Sequence, residues 1–331
     1  MDRNRRSGCV GIRKRERRAA HLAGIDRTLR ALEAESGAGE RIIRTYANGV
    51  ALLHGAVVFE DASGRPLRYL GGDEKGRPLR DPAGRAPVSL EGQGPVVKTT
   101  FFGTGFLVSR DGAMLTSRHV VEPWKGDEGV GAILGLGVRP RVVVLRAFFP
   151  GLADPIPVTV LKVSEAADVT LVKADVGGRS FPVLPVDRTG REAVPGRAVL
   201  VMGYPGGVDL LLARVEPAVL RPLMAEDPVD LPSLLDRLGR QKLIRPYATW
   251  GHLADVRPHE IAYDAPTTLG GSGGPILSLS GRVIGVNYAV ARSFEGASFG
   301  VPIRFGLALL LGSPQGQAPR PQRAAAPSTA P

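Results

Sequence analysis

From Val96 to Ile303 short apolar runs recur, and turn residues separate most of them. TGFLVS, AMLTS, PRVVVLRAFF, IPVTVLKV, DVTLVKAD, RAVLVMGY, EIAYD, PILSLS, RVIGVNYAV and ASFGVPI each have the length of one strand. Regular short runs of this kind predict an antiparallel barrel or sandwich, not a helical bundle. The 43 Gly and 28 Pro among 331 residues agree, because both disfavour helix interiors and supply turns. Upstream, VALLHGAVVFE from Val50 has the same β texture and ends in a turn at Ala62–Pro66. Residues 71–95, rich in Gly, Pro, Asp and Arg, read as a hairpin extension or loop. The chain shows no internal repeat.

Helical signals are confined to three places. Residues 13–35 place Leu22, Ile25, Leu29 and Leu32 at helical spacing among charges, which predicts an amphipathic helix ending around Ser36–Gly39. Between 219 and 246, DLPSLLDRLGRQKLI combines an Asp230 cap with leucine spacing, so a helix is expected inside the second half, bordering any cleft there as a flap or as a surface elaboration. A last helix is expected at 303–311, followed by a Pro/Ala/Gln-rich tail expected to be disordered.

Several function classes fall away. Cys9 is the only cysteine, so there is no internal disulfide and no thiolate metal cluster. Neither HExxH nor a phosphate-binding GxxxxGK[ST] occurs, and no metal or cofactor is implied. No apolar run approaches the ~20 residues of a membrane span. The basic start MDRNRRSGCVGIRKRERR lacks a signal peptide's apolar stretch, so a cytoplasmic protein is expected; a start upstream of Met1 would make the bacterial cell envelope the alternative. The net charge of +11 is concentrated at the front, where residues 1–44 hold 12 Lys/Arg against 6 Asp/Glu. No aromatic residue lies among those arginines before Tyr46, so a solvated helix is favoured over nucleic-acid binding, with partner association through this helix as its functional reading.

The chemistry points to TTLGGSGGPIL, residues 267–277. Glycines on both sides of Ser272 let a carbonyl group approach, and let the N–H groups of Gly270 and Ser272 turn inward together as an oxyanion hole. A serine needs a base to take its proton. Among five histidines, His119 stands just past the strand pair GTGFLVSRDGAMLTS, held by the strand yet facing outward. The base in turn needs a carboxylate, and Asp168 opens DVTLVKAD, 49 residues after His119 and 104 before Ser272.

GTGFLVSRDGAMLTSRHVV, DVTLVKAD and GGSGGPI resemble, in order, the three catalytic motifs of the trypsin-like serine proteases, most closely the bacterial heat-shock-protease branch without disulfides. VIGVNYAV, SFGVPI and GYPGG at 203–207 extend the resemblance to about residues 95–312. It implies a mainly β fold of two six-stranded antiparallel barrels, with His119, Asp168 and Ser272 as a triad in the cleft between them. It also implies a specificity pocket at Pro266, Thr267, Asn287 and Ala289. Gly271 stands where some members carry an Asp that pairs with a freshly cut N-terminus, so activity without propeptide cleavage is expected. Pro266 stands where an acid would select Arg or Lys, so small or branched apolar residues are expected at the cleaved position. No peptide-binding domain follows in this sequence.

The organisation expected is a basic helical arm (1–47), a β-hairpin extension leading into the barrel (48–94), a first barrel (95–186), a second barrel (187–312) carrying the 219–246 insertion, and a tail (313–331). The function expected is a serine endopeptidase acting on proteins or peptides, without cofactor. The alternative is an inactive protease-like scaffold that binds a peptide or partner, and an esterase using the same triad is a third reading.

Overall fold

The computed structural model describes residues 21–22, 24–26, 37–125, 128–225, 230–290 and 296–312. The chain folds into two closed six-stranded antiparallel barrels. The first contains β1 (Val50–Glu60), β4 (Lys98–Leu107), β5 (Ala113–Thr116), β6 (Arg139–Phe148), β7 (Ile156–Val163) and β8 (Thr170–Ala174). A small hairpin of β2 (Arg68–Tyr69) and β3 (Val88–Ser89) projects between β1 and β4. The second barrel contains β9 (Ala198–Gly203), β10 (Tyr247–Val256), β11 (Ile261–Tyr263), β12 (Pro275–Ser278), β13 (Val283–Val290) and β14 (Ser298–Pro302).

Four details differ from the sequence expectation. β1, expected in an extension leading into the barrel, is a barrel strand paired with both β4 and β6. Its first ten residues are all buried, so it shows none of the alternation that marks a half-exposed strand. β10 lies outside the runs that read as strands; only Leu253 of its ten residues is buried, and hydrogen bonding to β9 holds it in place. Residues 37–46 form a helix, α1, where a helix was expected to stop. Tertiary packing overrides the two glycines there: Ala38 and Ile42 are buried, and a β-carbon on Gly39 would stand 1.7 Å from the Trp250 ring. Of the expected helix at 13–35, residues 21–22 and 24–26 are helical and the remainder lies outside the described residues, as does the tail from 313.

The fourth difference is a repeat. Asp61, Asp73 and Asp81 each begin a D-x-x-G-R turn. In each, one carboxylate oxygen accepts from the backbone N–H of the Arg four residues on (2.9, 2.8 and 2.9 Å) and the other from its Nε (2.8, 2.7 and 2.9 Å). The unit is one turn long and its spacing is uneven, so it leaves no period in the hydrophobic pattern.

Two short helices, α2 (Arg118–Val121) and α3 (Glu128–Leu134), follow β5. The insertion lies between β9 and β10 and is larger than expected: α4 (Gly207–Ala213), α5 (Pro217–Leu223) and α6 (Leu231–Arg240). Asp230 caps α6 as expected, its carboxylate accepting from the Ser233 N–H at 3.1 Å. Leu234, Leu235 and Leu238 of α6 are buried in one core cluster with Leu52, Phe106 and Phe148 of the first barrel and Leu200 and Met202 of the second. The last helix, α7 (Ile303–Leu311), crosses back to the first barrel, where a β-carbon on Gly306 would stand 2.6 Å from Leu115. Both barrels therefore share a core.

Candidate active site

His119 is the second residue of α2, immediately after β5 delivers the chain to the barrel end. Asp168 stands just before β8, the neighbour of β5, so the strand pairing brings the two together. The Asp168 carboxylate meets His119 at two points: Oδ1 accepts its backbone N–H at 2.9 Å and Oδ2 lies 2.6 Å from ring Nδ1. A carboxylate only accepts, so Nδ1 carries the proton and Nε2 presents its lone pair. Arg118 braces the pair, donating to the Ser164 carbonyl at 3.0 Å and to Glu122 at 2.6 Å. The Asp168 side chain keeps 26% exposure, so this carboxylate is half-buried.

The Ser272 loop is fixed by backbone crowding. Gly270 and Gly273 have φ of +89° and +87°, a region costly for other residues. A β-carbon on Gly270 would stand 2.5 Å from the Tyr204 carbonyl oxygen, and one on Gly273 would stand 2.1 Å from the Thr104 carbonyl oxygen. Both positions therefore demand glycine, which separates this segment from a flexible linker of similar composition. The N–H groups of Gly271, Gly273 and Gly274 donate to the carbonyls of Thr268, Asn287 and Gly271. Among the described residues the N–H groups of Gly270 and Ser272 have no acceptor.

The loop is bolted to the first barrel. The Thr104 N–H donates to the Ser272 carbonyl at 2.8 Å, and its Oγ1 donates to the Gly270 carbonyl at 2.7 Å while accepting the Tyr204 N–H at 3.0 Å. Ser117, two residues before His119, donates its hydroxyl to the Asn287 carbonyl at 2.9 Å, the same carbonyl that accepts the Gly273 N–H at 2.7 Å. One acceptor thus ties the histidine's helix to the residue after the serine. The Ser272 hydroxyl, on a side chain almost fully buried, donates to the Tyr288 carbonyl at 3.2 Å and makes no hydrogen bond with His119. The structure joins Asp168 to His119 directly and Ser272 to them through the Ser117–Asn287 tie.

The four expected pocket residues divide. Thr267 Oγ1 accepts from Asn287 Nδ2 at 3.1 Å, and buried Asn287 accepts from the Tyr263 hydroxyl at 2.6 Å. Pro266 lies exposed on the rim, beside Thr267 and Gly271. Ala289 pairs with Phe299 in the β13–β14 ladder. Asp264 accepts the His252 N–H at 2.5 Å, a structural use. Thr104, Ser117, Arg118 and Tyr288 were not singled out from sequence. A threonine between two glycines in an otherwise apolar run is the one signal that could have marked Thr104.

Residues 103–286, more than half of the chain, match the model of the trypsin-like peptidase domain. The chain belongs to that family. Among relatives of this chain is HhoA of Synechocystis, named as a serine protease, 29% identical over 203 residues that cover 61% of this chain and 40% of HhoA. Another is a DegP-like protein of Pseudomonas fluorescens, named as a periplasmic serine endoprotease, 28% identical over 204 residues that cover 61% of this chain and 32% of that protein. The chain therefore spans two fifths or less of these relatives. Among its described residues no group of three His, Cys, Asp or Glu side chains is arranged to hold a metal, and no helix is long and apolar enough to cross a membrane.

Proposed function

We propose that the chain is a serine endopeptidase in which Ser272 is the nucleophile, His119 the general base and Asp168 the group that orients it. The observation that carries this reading is the two-point grip of Asp168 on His119, which leaves Nε2 as the free basic nitrogen, together with the Ser117–Asn287 tie that joins the histidine's helix to the Ser272 loop. Rotation of the Ser272 side chain moves its hydroxyl from the Tyr288 carbonyl to His119 Nε2. Its oxygen then bonds to the peptide carbonyl carbon while Nε2 takes the proton. The carbonyl oxygen, now negative, accepts from the unpaired N–H groups of Gly270 and Ser272. The imidazolium gives its proton to the leaving amine as the C–N bond breaks, and water repeats the cycle on the acyl-serine.

Among the described residues, the pocket that Pro266 and Thr267 share with Gly271 is lined by no charged side chain. That supports small or branched apolar residues at the cleaved position rather than Arg or Lys. The periplasmic naming of the Pseudomonas relative supports a cell-envelope location, which fractionation of native cells tests. Fluorophosphonate labelling tests the central claim: the native chain is labelled, while Ser272→Ala and His119→Ala are not. Equal labelling of the native chain and Ser272→Ala removes the nucleophile assignment. Parallel ester and peptide substrates separate an esterase from a peptidase.

A further inference from the structure

A cleft of about 900 Å³ opens between α1 and the second barrel, where Arg41, Arg191 and Arg197 face it together with Glu192, Ser278 and Ser280. Glu192 is already occupied: both serine hydroxyls donate to its Oε2, and Arg282 Nε lies 3.4 Å from its Oε1. The three arginines are exposed, and among the described residues none of their guanidinium groups has an acidic or other side-chain partner. Three unpaired guanidinium groups around one concavity attract carboxylates strongly, because their fields add inside a low-dielectric wall.

Shared wall residues relate this cleft to the candidate active site. Ala198, on its wall, also lines a second cleft with Trp250, His252, Asp264 and Pro266. Pro266 in turn borders the pocket of Thr267 and Gly271, next to Ser272. This path follows β9 from Gly203, which packs on Gly271, to Ala198 at its other end. Six residues of strand cover roughly 17 Å, the reach of about five residues of an extended substrate.

We propose that Arg41, Arg191 and Arg197 form an exosite for an acidic segment of the protein substrate, about five or more residues from the bond that Ser272 cuts. This rests on the peptidase reading above. A chain, rather than a membrane surface, is the occupant because the arginines line a concave cleft that adjoins, through Ala198 and Pro266, the pocket beside Ser272.

The test uses the full chain carrying Ser272→Ala and the fluorescein-labelled peptides (Asp-Glu)4 and (Asn-Gln)4, read by anisotropy. The acidic peptide is expected to bind at least about tenfold tighter at low salt, with the difference shrinking at high salt. Adding Arg191→Gln and Arg197→Gln is expected to remove most of that preference. In the active chain, the acidic peptide is expected to inhibit casein cleavage competitively, and no longer to do so after the two Gln substitutions. Equal binding of the two peptides, binding that survives the Gln substitutions, or competition unchanged by them overturns the exosite. So does binding to phosphatidylglycerol vesicles that needs these arginines while the acidic peptide does not bind. If casein is not cut at all the peptidase reading fails, and the anisotropy result still decides whether the arginines hold an acidic chain.

Discussion

Thr104 makes four hydrogen bonds with no side chain exposed, and three of them cross from the first barrel to the second. Its hydroxyl holds the Gly270 carbonyl and so helps fix the loop that carries the Gly270 and Ser272 N–H groups. Thr104→Val keeps the shape but strands the Gly270 carbonyl and the Tyr204 N–H. The expected result is a fall in kcat of about 10- to 100-fold with KM little changed, since misaiming an oxyanion donor costs about 2–3 kcal/mol in the transition state. Thr104→Ser restores most of kcat. A purely structural role would instead lower Tm and leave kcat per folded molecule intact, so both are measured. The positions of His119, Asp168 and Ser272 were legible because each sits in a local motif. Thr104 was not, because its side-chain partners lie 100 and 166 residues away and nothing local marks them.

Most strands were legible in the sequence, the fully buried β9 and β12 among them; β1 read as β but was placed outside the barrel, and β10, where only Leu253 is buried, was missed. The insertion was recognised only at α6, where a capped start and leucine spacing coincide; α4 and α5 are too short to show a helical period. The sequence left open whether the insertion is a flap or a surface elaboration. The structure puts α6 into the shared core, while the Gly206 N–H at the start of α4 donates to the Leu269 carbonyl at 2.7 Å, next to the Ser272 loop. Leu238→Ala is therefore expected to lower unfolding free energy by about 2–5 kcal/mol, measured by urea denaturation. Fluorophosphonate labelling per folded molecule should stay unchanged. A mobile flap would give the opposite pattern, with altered labelling and unaltered stability.

At the scale of the molecule, one buried cluster links both the insertion and the first barrel to pH. Arg146 of β6 donates to His54 Nδ1 of β1 at 3.2 Å, to Asp236 of α6 at 2.9 Å and to the Pro232 carbonyl at 3.3 Å. With Nδ1 accepting, His54 Nε2 carries the proton, and among the described residues that buried atom has no partner. Burial first, then the charges of Arg146 and Lys98, push the His54 pKa from its ordinary 6.5 down to about 4, against a small opposing pull from Asp230. Between these values the unfolded chain binds a proton that the folded chain refuses, so acid favours unfolding. The contribution of His54 is intact above about pH 6.5, falls as pH drops toward 4, and is constant below that. Going from pH 7 to pH 5 should cost about 2 kcal/mol of stability through this group alone. His54→Phe, packed on Phe102 as the imidazole is now, removes the titrating group while Arg146 keeps Asp236 and the Pro232 carbonyl. Urea midpoints at pH 7 and pH 5 should then differ markedly in the native chain and much less in His54→Phe. An equal acid loss in both would place the sensitivity elsewhere and leave this clamp a neutral packing feature.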